Sequence, residues 1–203
     1  MATVEFHFDF GSPNAYLVHK VVPAFEKRTG ARFVYVPVLL GGVFKMTNNV
    51  APGVAFKDIK NKLAYERLET RRFIRDHGID QFKANPHFPV NTLQIMRGAV
   101  AAETDGFLAP YVEAVFHHMW EDSKKMDEPE VIRAALAASG IDAERVMRRI
   151  NDTDVKAKLL ANTEGSVARG TFGSPTFFVG SEIFFGKERL PAIEAELRRQ
   201  SGA

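Results

Sequence analysis

Residues 6–17 run Phe-His-Phe-Asp-Phe-Gly-Ser-Pro-Asn-Ala-Tyr-Leu, and this stretch restricts the fold more than any other. Phe6, Phe8 and Phe10 alternate with His7 and Asp9, the period-two pattern of a strand entering a packed sheet. Gly11 breaks the run. Ser12 brings a hydroxyl that caps a helix, and Pro13 suits the first turn, where a missing N–H costs nothing. Tyr16, Leu17, Val21 and Phe25 follow at near-helical spacing. A strand running straight into a helix places Ser12 where free N–H groups and the positive end of the helix dipole point. Such a place favours negative charge.

Gly30 ends this first helix, and Arg32 to Leu40, rich in β-branched and aromatic residues, reads as a second strand. That order makes a βαβ unit with parallel strands. Gly41 to Ala55, with Gly41-Gly42, Lys45, Asn48, Asn49, Pro52 and Gly53, reads as a long loop of the kind that often carries function. From about Asp58 to Gly140 the pattern is helical. Leu63, Leu68 and Phe73 (with Tyr65 and Ile74) mark one amphipathic stretch closed by Gly78; Leu93, Met96, Ala99 and Val100 mark another; Val112, Val115, Phe116 and Met119 a third. Asp127-Glu128-Pro129-Glu130 predicts a helix start with an acidic N-cap at Asp127, and Asp142 and Thr153 open two more helices. Thr176–Val179 and Glu182–Phe185 around Gly180-Ser181 predict a β-hairpin, and Leu190, Ile193 and Leu197 a closing helix.

With 203 residues, 45% of them hydrophobic, the chain is long enough for a sizeable core in one domain, with or without a large insertion. It has no cysteine, which excludes disulfides, thiolate metal sites and any dithiol redox role for the chain itself. A formal charge of +2 gives no reason to expect a nucleic-acid partner. No apolar run approaches membrane-spanning length and no basic-then-apolar leader is visible, so a soluble cytoplasmic protein with no membrane partner is expected.

The order β-α-β, a block of helices, then α-β-β-α, with Ser174-Pro175 before a strand pair, is similar to the thioredoxin fold with a large all-helical insertion. Five motifs sharpen that likeness: Phe8-Asp9-Phe10-Gly11-Ser12-Pro13, Gly42-Val43-Phe44-Lys45, Asn91-Thr92, Phe172-Gly173-Ser174-Pro175-Thr176 and Phe185-Gly186-Lys187-Glu188-Arg189-Leu190. Together they resemble the 2-hydroxychromene-2-carboxylate isomerases and their relatives, the kappa-class glutathione transferases of the DsbA-like superfamily. The resemblance implies a discontinuous thioredoxin-like domain over 1–55 and 151–203, with a helical insertion over 56–150. It implies a proline with a cis peptide bond facing the N-terminus of the first helix. Where disulfide oxidoreductases carry Cys-x-x-Cys, this chain reads Ser12-Pro13-Asn14-Ala15.

The same resemblance implies glutathione as cofactor, its sulfur resting against Ser12 as the catalytic residue. Ser174 beside Pro175 would pair with its cysteinyl backbone, and Phe185, Gly186, Lys187 and Glu188 would meet its γ-glutamyl end. Relatives usually carry Gln-Asp or Asn-Asp where this chain has Lys187-Glu188. Asn49 maps onto glutathione or substrate, and Lys45, Lys62 and His87 onto a small aromatic carboxylate substrate. A homodimer is also implied. The activity implied is cis-trans isomerisation between 2-hydroxychromene-2-carboxylate and trans-o-hydroxybenzylidenepyruvate. The alternatives are a kappa-like transferase or peroxidase acting on electrophiles, and a non-catalytic thioredoxin-fold binding module.

Each residue also has a plainer role. Ser12 as a simple N-cap is worth about 1 kcal/mol. The plainer role of Pro175 is a turn proline, of Lys45 a solvated charge, of Asn49 a turn residue, and of Phe44, Phe116, Met119 and Trp120 packing. Asp9 reads as a buried hydrogen-bonded partner near the strand end. No metal is expected, because neighbours such as His117 and His118 point about 100° apart on a helix.

Overall fold

The computed structural model describes residues 2–202. β1 (Thr3–Phe8) leads into α1 (Pro13–Thr29), and β2 (Arg32–Pro37) returns alongside β1 in parallel, from Thr3 against Arg32 to Phe8 against Pro37. Seven helices follow: α2 (Leu40–Thr47), α3 (Pro52–Ala55), α4 (Lys62–His77), α5 (Leu93–Thr104), α6 (Leu108–Trp120), α7 (Pro129–Ala138) and α8 (Ala143–Arg149). α9 (Thr153–Ala168) precedes the hairpin of β3 (Thr176–Val179) and β4 (Glu182–Phe185). A short 3-10 turn (Lys187–Arg189) then enters α10 (Leu190–Ser201). The sheet order is β2-β1-β3-β4, with β3 antiparallel to both β1 and β4.

β1 is paired along both edges in this sheet, and helices cover both of its faces. Phe6 and Phe8 are buried on one side, and His7 is buried on the other, its Nδ1 2.8 Å from the Ser166 hydroxyl of α9. Phe8 and Phe10 meet Phe116 of α6, with ring centres 5.9 and 4.8 Å apart, and one hydrophobic core runs without interruption from the sheet into α5–α8. Tyr111 of α6 crosses α5 at Gly98 and donates its hydroxyl to the Ile95 carbonyl at 2.9 Å. A Cβ on Gly98 would fall 2.0 Å from that hydroxyl, so only glycine lets the two helices approach this closely.

Three expectations need correction. The second strand stops at Pro37 rather than Leu40, and the predicted loop from Gly41 to Ala55 is largely α2 and α3. The N-cap position of α2 is Leu39, which offers no capping side chain; the Leu40 N–H is taken instead by the Asp9 carboxylate at 2.7 Å. A cap supplied from 31 residues upstream leaves no local signal. The N-cap of α7 is Glu128, not Asp127. Pro129 at the first helical position holds the residue before it extended, and Glu128 is that residue. The Asp127 carboxylate turns instead toward the start of α5, accepting from the Asn91 N–H at 3.4 Å.

Candidate active site

The turn between β1 and α1 is held by groups from four other parts of the chain. Asp9 N–H donates to the Ser174 hydroxyl at 3.2 Å, and Phe10 N–H to the Met96 sulfur of α5 at 3.5 Å. The Trp120 indole N–H, at the end of α6, donates to the Phe10 carbonyl at 2.8 Å. The fully buried Asp9 carboxylate accepts from Gly11 N–H at 2.8 Å, Leu40 N–H at 2.7 Å and the Thr92 hydroxyl at 3.0 Å. Those three donors sit at the N-terminal ends of α1, α2 and α5. Burial pushes the Asp9 carboxyl up from its ordinary value, and the three hydrogen bonds oppose that shift.

Ser12 follows at the N-cap of α1 and is buried. Its hydroxyl accepts from Ala15 N–H at 3.2 Å and donates to the Ser174 carbonyl at 2.8 Å. Pro13 has no N–H, and Ala15 and Tyr16 are bonded back to Ser12. The Asn14 N–H is therefore the first-turn donor without a partner among the described residues. The Ser174–Pro175 peptide bond is cis, and the Pro175 carbonyl accepts from Gly186 N–H at 3.0 Å. Phe88–Pro89, in the segment before α5, is also cis and had no signal in the sequence.

A rim surrounds this point. The Asn49 side-chain amide, just past α2, donates to the Phe172 carbonyl at 2.8 Å. Phe172 and Phe185 pack with ring centres 4.5 Å apart yet remain 43% and 41% exposed, a small apolar surface. A Cβ on Gly173 would fall 2.6 Å from the Phe185 ring, which explains glycine beside Ser174. The chain thus gathers Ser12, Asn49, Ser174, Pro175, Phe185 and Gly186 around the start of α1.

The remaining predicted residues divide. Lys45 lies in the last turn of α2, exposed and without an ion-pair partner among the described residues. Lys187 is 2% exposed, its ammonium paired with Glu188 and lying 5.8 Å from the centre of the Phe73 ring of α4. Glu188 is exposed. Lys62 pairs with Glu66 at 2.5 Å and sits 5.1 Å from the Phe56 ring centre, and His87 is exposed, its N–H donating to Asn85 Oδ1 at 2.9 Å. Neither Lys62 nor His87 forms a hydrogen bond or ion pair with the Ser12 cluster among the described residues. Asp9 is a buried partner as its place in the sequence implies, but no sequence signal marks its link to three helix starts, and Trp120 hydrogen-bonds as well as packs.

Residues 3–198 match the DSBA-like thioredoxin domain family. The 2-hydroxychromene-2-carboxylate isomerase of Pseudomonas putida is 26% identical over 197 residues, covering 97% of this chain and 94% of that protein. Glutathione S-transferase kappa 1 of Homo sapiens is 24% identical over 209 residues, covering 94% and 88%. A solved 2-hydroxychromene-2-carboxylate isomerase superposes with a TM-score of 0.80 at 25% identity, covering 98% of this chain and 96% of its own. The chain belongs to the DsbA-like thioredoxin domain family, as an enzyme of the isomerase group within it.

Proposed function

We propose that this enzyme isomerises 2-hydroxychromene-2-carboxylate and trans-o-hydroxybenzylidenepyruvate, with glutathione as the thiol it lacks. The observation that carries this reading is the Ser12 hydroxyl at the N-terminus of α1, beside the Ser174 carbonyl and the cis proline, in a chain with no cysteine. The donor set suits a peptide thiolate: a hydroxyl able to rotate, the Asn14 N–H without a partner among the described residues, and a positive helix end. When bound, glutathione would supply a sulfur nucleophile that adds reversibly to the conjugated double bond.

The chain's own part is to keep that sulfur ionised and to hold the substrate. Ser12 would turn its O–H from the Ser174 carbonyl toward the anion, keeping its bond from Ala15 N–H. Lys45, exposed in the last turn of α2 and without an ion-pair partner among the described residues, would attract the substrate carboxylate as a point charge. Phe172 and Phe185 would give an aromatic ring an apolar wall, and Asn49 would fix the Phe172 segment. Lys187 and Glu188 would meet the γ-glutamyl end, with the Lys187 ammonium neutralised by its neighbour until a ligand carboxylate arrives.

The test is a calorimetric titration with glutathione beside a turnover assay, for wild type and Ser12→Ala. Binding by both proteins, with turnover about 100-fold lower in the variant, is expected from losing one donor to the developing charge. No glutathione binding by the wild type would end this reading. The likeness to kappa 1 favours a second one, a transferase that consumes glutathione. Stoichiometry separates the two, since isomerisation returns every thiol.

A further inference from the structure

α6 ends at Trp120, and the chain then folds back over its own last turn. Asp122 N–H donates to the His117 carbonyl at 3.1 Å and Lys124 N–H to the His118 carbonyl at 2.9 Å, with Ser123 in the left-handed region at φ 56°. This reversal returns Asp122 to the side chains of the last helical turn. The imidazoles of His117 and His118 have centres 4.9 Å apart, and Asp122 lies across both. One ligand-capable atom from each of the three residues lies within 4.8 Å of the other two.

The two spacings to the shared Asp122 carboxylate are close to those of a metal centre. Two donors about 2.0–2.1 Å from a tetrahedral zinc ion lie roughly 3.3–3.4 Å apart. Asp122 Oδ2 is 3.5 Å from His117 Nε2 and 2.9 Å from His118 Nδ1, so the first pair is already set and the second needs a small opening. The outer nitrogens are also occupied in the way metal-binding histidines require. His117 Nδ1 is 2.9 Å from the Glu121 carboxylate, and His118 Nε2 is 3.0 Å from the hydroxyl of Ser139, the residue that follows α7. Lys124 Nζ lies 3.0 Å from His118 Nδ1 and 3.4 Å from Asp122 Oδ2. An ammonium therefore lies beside two of the three atoms a metal would use, His118 Nδ1 and Asp122 Oδ2.

We infer that His117 Nε2, His118 Nδ1 and Asp122 Oδ2 form a binding site for a divalent transition metal such as zinc, with Lys124 as the resident cation that the metal displaces. Three protein ligands leave one position for water. Two imidazoles and one carboxylate select zinc, nickel or copper over magnesium or calcium. The site also lies next to Trp120 and Glu121, which hold the Phe10 carbonyl and the Tyr16 hydroxyl, so an occupied site would fasten the end of α6 against the catalytic turn.

The test is titration of the full chain with zinc against a chromophoric chelator, with His117→Ala, Asp122→Asn and Lys124→Met in parallel. His117 is 43% exposed, so its truncation leaves the fold in place, which thermal melting without metal checks. One zinc per chain is expected, at least about tenfold weaker in His117→Ala and Asp122→Asn and tighter in Lys124→Met. Cobalt in place of zinc should show the strong visible absorption of a low-coordinate site, absent in His117→Ala. Equal affinity in wild type and His117→Ala would overturn the inference and assign the metal to other histidines, as would no gain in Lys124→Met.

Discussion

At Ser12 one hydroxyl accepts from Ala15 N–H and donates to the Ser174 carbonyl, so its proton has to be redirected before it can serve an arriving anion. That redirection needs only rotation about the C–O bond, because the acceptor role toward Ala15 is unchanged. Asp9 is what keeps the hydroxyl in place, since Gly11, Leu40 and Thr92 all donate to its carboxylate. Asp9→Ala would strand three donors, the Thr92 hydroxyl buried and the Gly11 and Leu40 N–H groups part-buried, and we expect a loss of about 3–5 kcal/mol in urea denaturation. Asp9→Asn keeps one carbonyl oxygen and should cost about half as much. A loss below about 1 kcal/mol in Asp9→Ala would show that these donors find other partners. The residue types at Ser12 and Asp9 were legible as cap and buried partner; the identity of Asp9's partners was not, because two of them lie 31 and 83 positions away.

Helix α2 shows how an element escapes local reading. Its sequence, Leu-Gly-Gly-Val-Phe-Lys-Met-Thr, carries two poor helix formers and no capping side chain, and the carboxylate that starts it belongs to another element. By contrast, α1 announces itself through Ser12, Pro13 and Gly30, the last at φ 71° where the helix stops. The α5–α6 pair depends on a contact rather than a signal. Gly98→Ala forces its methyl against the buried Tyr111 hydroxyl, and we expect a destabilisation of about 1–3 kcal/mol by thermal or denaturant unfolding. Gly98→Ala combined with Tyr111→Phe should recover part of it. No recovery would place the strain elsewhere in the pair.

For the molecule as a whole, the junction of α1 with α6 is electrostatic as well as apolar. His19 Nε2 lies 2.9 Å and Lys20 Nζ 3.3 Å from the Glu113 carboxylate, and these, His19 first, bring its carboxyl down to about 2. A folded value below the unfolded one means stability present above the unfolded value of about 4.3 and lost as pH falls from there toward 2. Glu113→Gln should therefore be slightly less stable than wild type at pH 7, by about 1 kcal/mol or less because the side chain is 59% exposed, with the gap closing toward pH 2. Identical urea midpoints at pH 7 would remove this pair from the account. Alternation, caps and turn residues act between neighbours in the chain, so the sequence by itself determined the strand-helix start, the strand pair around Gly180-Ser181, most helix ends and the absence of a protein thiol. Tertiary structure alone decided that α2 forms at all, that Lys187 is buried beside Phe73, and that Trp120 reaches the Phe10 carbonyl. Each of those depends on a polar or apolar group arriving from a distant part of the chain, and no local pattern records where such a partner comes from.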